Sequence, residues 1–439
     1  SSNINYRFDE AEQVFQEMSK KQIEPDSVTS CILINLAHQR GFDAGSIWRI
    51  FCDMEEQKVF AGHEVFGVLI KAFCQRGMLE EGLKLMAEME RRSLIPNVTI
   101  YNIMIDSFGK AFMLEEAEGL ISEMKAKGVQ MSVVTYNSLI AAYANQGQFE
   151  TAEAILEEMF DKGLKPTVQS YTTLMTAYGR RALSEKASAT FVRMKKNGVS
   201  PNIVSYSALI HAFAESGWHK KAEYAFQNML REGFIPTVEI YTSLLHGYRQ
   251  AGDVDNVKRI WKEMRQQKCI GTRFTFNVLM DAFAKQGCYA EARDVMYEFN
   301  KIGCKPDRKT YNMLINAYAR GFRHSKLPEI LKEMREKGIH PDSFTYTTLI
   351  YSLFRVRDFS TAFKYHEEMC MENQLPDELT YRKLRFILDE KLEVRAQRNM
   401  QAVLGLQRKQ YIPTTRTNNR KHLWERRKTQ GQRVLSFRK

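Results

Sequence analysis

The strongest constraint on this chain is a spacing. An aromatic residue recurs every 35 positions, at Phe66, Tyr101, Tyr136, Tyr171, Tyr206, Tyr241, Phe276, Tyr311, Tyr346 and Tyr381. Pro96, Pro166, Pro201, Pro236, Pro306, Pro341 and Pro376 keep the same step, with Met131 and Gly271 in the two vacant places. Met89, Met124, Met159, Met194, Met229, Met264, Met334 and Met369 keep it too, with Phe299 filling the gap; Met18 joins the phase once one extra residue between Gly41 and Phe60 is allowed for. A fixed period of this size marks a tandem array whose units stack on their neighbours. The pattern runs from Ser1 to Pro413.

Each unit reads as two helices. Tyr101, Met104, Ile105 and Phe108 fall at i, i+3, i+4 and i+7, an apolar stripe along one helical face. Tyr136, Leu139, Ile140 and Tyr143 repeat it. Gly147, Gly217, Gly252 and Gly287 mark the turn. A second helix carries a small residue for close packing (Ala117, Ala152, Ala187, Ala222, Ala292, Ala362), ends at the methionine, and is stopped by Gly128, Gly163, Gly198, Gly233, Gly303 or Gly338. One such hairpin cannot bury its own apolar faces, so the expected fold class is all-α, a superhelical solenoid of about eleven 35-residue helix-turn-helix repeats. Residues 1–26 read as a partial repeat. Ten repeats follow: 27–62, 63–97, 98–132, 133–167, 168–202, 203–237, 238–272, 273–307, 308–342 and 343–377. The first has 36 residues and Ser30 in place of an aromatic. Residues 378–412 read as a degenerate repeat with Arg382 after its anchor.

Charge is uneven. Of a net +12, residues 413–439 carry +8, from nine Lys/Arg against Glu425. Such a basic tail suits a flexible extension or a contact with ribosomal RNA or a protein complex. The seven cysteines form no C-x-x-C pair, which argues against disulfides and zinc and fits a reducing compartment. No apolar run is long enough to span a membrane. The chain starts at Ser1, partway through the pattern, as expected of a fragment whose upstream repeats or targeting peptide are missing.

Catalytic signatures are missing. His63-Glu64 and His366-Glu367 do not extend to H-E-x-x-H, and neither G-x-x-x-x-G-K-[ST] nor G-x-G-x-x-G occurs. The deaminase pattern H-x-E with P-C-x-x-C is also absent. The expectation is a binding protein with no cofactor or metal. His211 and His246, at matched positions in neighbouring units, read as a shared surface slot.

Two-helix units of 35 residues carrying the phrase from Val134 to Ile140 (Val-Thr-Tyr-Asn-Ser-Leu-Ile) resemble the pentatricopeptide repeat family, in its plain P-type branch. Tetratricopeptide arrays differ, with a 34-residue period and another consensus. The resemblance implies a right-handed superhelix acting on single-stranded RNA in an organelle, the chloroplast ahead of the mitochondrion. It also implies one base per repeat, read by the residue after the aromatic anchor and the residue after the loop proline. Those pairs are Asn102/Ser132, Asn137/Thr167, Thr172/Asn202, Ser207/Thr237, Thr242/Thr272, Asn277/Asp307, Asn312/Asp342 and Thr347/Asp377; Gly67/Asn97 offers no readable pair. The family's pairing tendencies give 5′-C, pyrimidine, A, purine, purine, U, U, G-3′.

The loop-end residues are also the preferred helix N-cap types, so capping and base reading both explain them. The post-anchor residues are harder to explain structurally. Asn, Thr and Ser are poorer helix formers than Ala or Leu by about half a kcal/mol each, yet occupy all eight places from Asn102 to Thr347. Their donor and acceptor groups suit base edges. The family further implies base-flanking apolar residues at Val134, Val204, Phe274 and Phe344, and phosphate-facing cations at Lys110, Arg180, Lys285, Arg320 and Arg355. Glu64, Glu239 and Lys309 break the first series; Asn145, Glu215 and Gln250 break the second. Transcript stabilisation, processing, splicing or translation would follow from occupying a defined RNA site. The alternative is a structural subunit of a large organellar ribonucleoprotein or transcription complex.

Overall fold

The computed structural model describes residues 17–18, 26–56 and 61–372. Among these residues there are twenty α-helices, one short 3-10 turn at His324–Lys326 and no β-strand. The helices alternate between two roles. The A helices are Ser27–Gln39, His63–Cys74, Val98–Lys110, Val133–Gln146, Val168–Arg180, Ile203–Glu215, Val238–Ala251, Arg273–Gln286, Arg308–Arg320 and Ser343–Arg355. The B helices are Ala44–Glu56, Leu79–Arg91, Leu114–Ala126, Phe149–Asp161, Ser184–Lys196, His219–Arg231, Val254–Gln266, Tyr289–Lys301, Leu327–Glu336 and Phe359–Met371. Two compact units divide at residues 282 and 283. The degenerate repeat 378–412, the tail 413–439 and nearly all of 1–26 lie outside the described residues.

Local sequence explains where the A helices begin. Asp26, Asn97, Ser132, Asn202, Thr237, Asp307 and Asp342 each accept a hydrogen bond from the backbone N–H three residues on, at 2.8 to 3.5 Å. A cap of this kind stabilises a helix by about 1 kcal/mol. The turn after the A helix is left-handed at Gly147 and Gly252, as the glycines suggest. The same left-handed place is held at other repeats by Phe112, Ala182, Phe322 and Arg357, with φ from 55° to 62°. Stacking dictates this turn even where the local residue disfavours it.

The periodic residues form the core. Anchors Phe66, Tyr101, Tyr136, Tyr171, Tyr206, Tyr241, Tyr311 and Tyr346 are at most 1% exposed. On the 35-residue step, the B-helix alanines and the methionines from Met89 to Met369 are at most 2% exposed, and Val257 and Leu327 fill the alanine place in two repeats. From Ser27–Gln39 to Val238–Ala251, each A helix packs on its own B helix, and successive A helices pack on one another. The approach is close: a Cβ on Gly109 would sit 2.6 Å from Ala142 Cβ. Within the second unit, Arg308–Arg320 packs on Ser343–Arg355 in the same way. A-helix residues of equal register are therefore brought side by side.

Candidate nucleic-acid interface

Each post-anchor residue follows a fully packed aromatic, which fixes its place on the A helix. Asn102, Asn137, Thr172, Thr242 and Asn312 are buried to 9% exposure or less, and Ser207, Asn277 and Thr347 are half-buried. Buried amides and hydroxyls need partners. The next repeat supplies them for four of the five, Thr172 excepted. Thr135 Oγ1 donates to Asn102 Oδ1 at 2.6 Å, Ser170 Oγ to Asn137 Oδ1 at 2.6 Å, and Thr345 Oγ1 to Asn312 Oδ1 at 2.5 Å. Thr242 and Thr275 hydroxyls meet at 2.8 Å. Thr172 and Thr242 also donate to main-chain carbonyls of their own helix, Val168 at 2.8 Å and Val238 at 2.6 Å. The Thr172 and Thr242 protons are thus spent on the main chain, which leaves these hydroxyls as acceptors, whereas the asparagines retain N–H groups.

The loop-end residues are caps, so the capping explanation holds for all those listed above. It does not remove them from the surface beside the post-anchor residues. Asn102 Nδ2 lies 3.4 Å from Ser132 Oγ, and Asn312 Nδ2 donates to Asp342 Oδ1 at 3.2 Å. Asn97, Thr167, Thr272 and Asp307 are exposed, while Ser132, Asn202, Thr237 and Asp342 are half-buried. Asp377 lies outside the described residues. Burial raises the Asp342 pKa, but hydrogen bonds from Thr345 and Asn312 and the nearby Arg308 outweigh it and hold the carboxyl below its ordinary value.

Val134, Val204, Phe274 and Phe344 are 55 to 61% exposed. Each precedes its post-anchor residue by three positions, on the same helical face. Lys110, Arg180, Lys285, Arg320 and Arg355 are all exposed at A-helix ends. Lys110 pairs with Asp106 at 2.5 Å. Arg180 donates to Asn145 and Arg320 to the Lys285 carbonyl, each one repeat back, and Arg355 lies 5.6 Å over the Phe322 ring. Where the cation series breaks, Glu215 lies between His211 and His246, 4.0 and 3.5 Å away. Burial lowers the His246 pKa, with Glu215 opposing it.

Sequence reasoning missed the third residue of each following A helix: Thr135, Ser170, Thr275 and Thr345. All four are 0% exposed. Their signal was present as capping-box spacing, S/T three residues after the cap, but the contact to the preceding repeat is visible only after stacking.

An all-α array that offers one set of polar side chains per hairpin, flanked by exposed apolar and cationic groups, defines an α-solenoid repeat protein. The chain belongs to the pentatricopeptide repeat family. Its models match as "Pentatricopeptide repeat domain" (residues 119–181 and 225–286), "PPR repeat family" (64–110, 96–140, 166–215 and 271–320) and "PPR repeat" (5–23, 204–234, 309–339 and 337–370). Together they run unbroken from 64 to 370. A chloroplastic pentatricopeptide repeat-containing protein of Arabidopsis thaliana is 46% identical over 81 residues, 18% of this chain and 11% of that protein. The crystal structure of PPR10 from maize is similar over 90% of this chain and 66% of that one, at 24% identity and a TM-score of 0.56. PPR10 in complex with an 18-nt psaJ RNA element aligns over 91% of this chain and 65% of that one, at 22% identity and a TM-score of 0.42. The chain thus spans less than two thirds of these relatives.

Proposed function

We propose that this chain binds single-stranded RNA sequence-specifically, one nucleotide per repeat, without turning it over. The observation that carries the reading is the row of post-anchor side chains whose donor and acceptor groups are fixed by hydrogen bonds, as at Asn102, Asn137, Thr172, Thr242 and Asn312. Small polar groups held rigidly beside exposed apolar side chains suit base edges and base faces. The pairs from Asn102/Ser132 to Thr347/Asp377 would read 5′-C, pyrimidine, A, purine, purine, U, U, G-3′. The exposed cations would face the phosphates. The Arabidopsis relative is described as chloroplastic, and a chloroplast setting is proposed for this chain, where occupying an RNA site would protect, expose or guide processing of a transcript.

The test is fluorescence anisotropy with the octamer as a free single strand and annealed to its complement. Annealing occupies the Watson–Crick edges, so binding should fall at least tenfold. Equal affinity for strand and duplex would overturn base reading.

A further inference from the structure

The buried hydroxyls of the third A-helix residues have one proton each, and its destination is constrained. Thr135 Oγ1 already accepts the Ser132 N–H at 3.0 Å, so its proton is available to donate, and Asn102 Oδ1 lies 2.6 Å away. Ser170 Oγ accepts the Thr167 N–H at 3.0 Å and meets Asn137 Oδ1 at 2.6 Å. Thr345 Oγ1 accepts the Asp342 N–H at 3.2 Å and meets Asn312 Oδ1 at 2.5 Å, with Asp342 Oδ1 as a second acceptor at 2.7 Å. A primary amide is asymmetric, so once its oxygen is held from one repeat only N–H groups remain; Asn102 and Asn312 direct one of these to Ser132 and Asp342, which leaves the second for a ligand.

We infer that Thr135, Ser170 and Thr345 are positioning residues for base recognition by the preceding repeat: they lock the Asn102, Asn137 and Asn312 amides so that only N–H donors face the bound base. The inference rests on the base-reading proposal. It follows that the Asn102, Asn137 and Asn312 sites are each completed by the next repeat and demand an acceptor on the base they read. The other repeats use the position differently. Beyond Thr172, the Ser205 hydroxyl lies 3.1 Å from the cap Asn202 Oδ1. Beyond Ser207 the residue is Ile240, and beyond Gly67 it is Ile100, neither with a hydroxyl. Thr275 meets Thr242, whose own proton is held by the Val238 carbonyl.

Thr135→Val keeps the shape and deletes the hydroxyl; Thr135→Ser restores it. Affinities are measured for the full chain on octamers that differ only in the first base, the one assigned to Asn102. The wild type and Thr135→Ser should discriminate pyrimidine from purine there, and Thr135→Val should lose about fivefold or more of that discrimination, leaving other positions unchanged. In an Asn102→Ala background Thr135→Val should change nothing further. Should the valine variant fail to fold, Ser170→Ala with the second base applies the same test to Asn137. Wild-type discrimination that survives both substitutions overturns the inference and spares base reading. A wild type that shows no preference at either base overturns both.

Discussion

The phenol of Tyr101, wholly buried, donates a 2.8 Å hydrogen bond to Glu123 Oε1, joining the A and B helices of one hairpin. The same pair recurs 22 residues apart at Tyr136–Glu158, Tyr241–Glu263 and Tyr311–Glu333. Burial, then the Glu123 carboxylate, push the Tyr101 pKa up to about 12, so the phenol stays a donor at neutral pH. Tyr101→Phe should destabilise the fold by about 1 kcal/mol, read from denaturant midpoints, and leave base preference unchanged. A shift in base preference would mean that the anchor acts in recognition rather than in packing.

Exchanging one side chain should change one letter. Asn312→Thr, with Asp342 kept, replaces outward N–H donors by an outward lone pair and should turn the seventh base preference from U to G. A contact of this kind discriminates by about 1–3 kcal/mol, measurable as competition between octamers that differ at that base. A uniform loss across all octamers would assign Asn312 a purely structural role.

Arg180 and Arg320 should act on every RNA alike. With five cations each meeting one phosphate, the log–log salt slope is expected to be about −3.5, and Arg180→Ala or Arg320→Ala should each reduce its magnitude by about 0.7. Salt titration of anisotropy checks this. A slope unaffected by both substitutions would place the phosphates elsewhere.

Stability should fall in mild acid. Burial lowers the pKa of His366 below its ordinary 6.5, and that of His38, His246 and His324 likewise. Above pH 6.5 the imidazoles are neutral whether folded or not, and their contribution is complete. Below it the unfolded chain takes up protons first, so stability declines as pH falls toward the folded values. Urea midpoints at pH 8 and pH 5.5 should differ, and His366→Gln should remove part of the difference.

The array was legible because its causes repeat. Anchors such as Tyr136, close-packing residues such as Ala152 and core methionines such as Met159 serve the same contact in every unit, so the period exposed them. Turns were less legible. Phe112 and Arg357 take left-handed backbone with no local signal, because the stack imposes a shape that their types disfavour. The candidate interface was half legible. Asn102 stands out as a polar residue in a helix, but nothing in the spacing singles out Thr135 as its partner. Its bond to Asn102 bridges 33 residues and exists only when two repeats pack. Likewise Lys110 was visible as a cation, while its pairing with Asp106 needed side-chain geometry.

The most direct test of the account is anisotropy with the octamer, set in unstructured RNA, against a permuted octamer of equal composition, using the chain with and without residues 413–439. The account predicts a preference for the assigned order of tenfold or more that survives removal of the tail. Equal binding to both RNAs that disappears with the tail would contradict it, leaving a scaffold whose nucleic-acid affinity resides in its basic end.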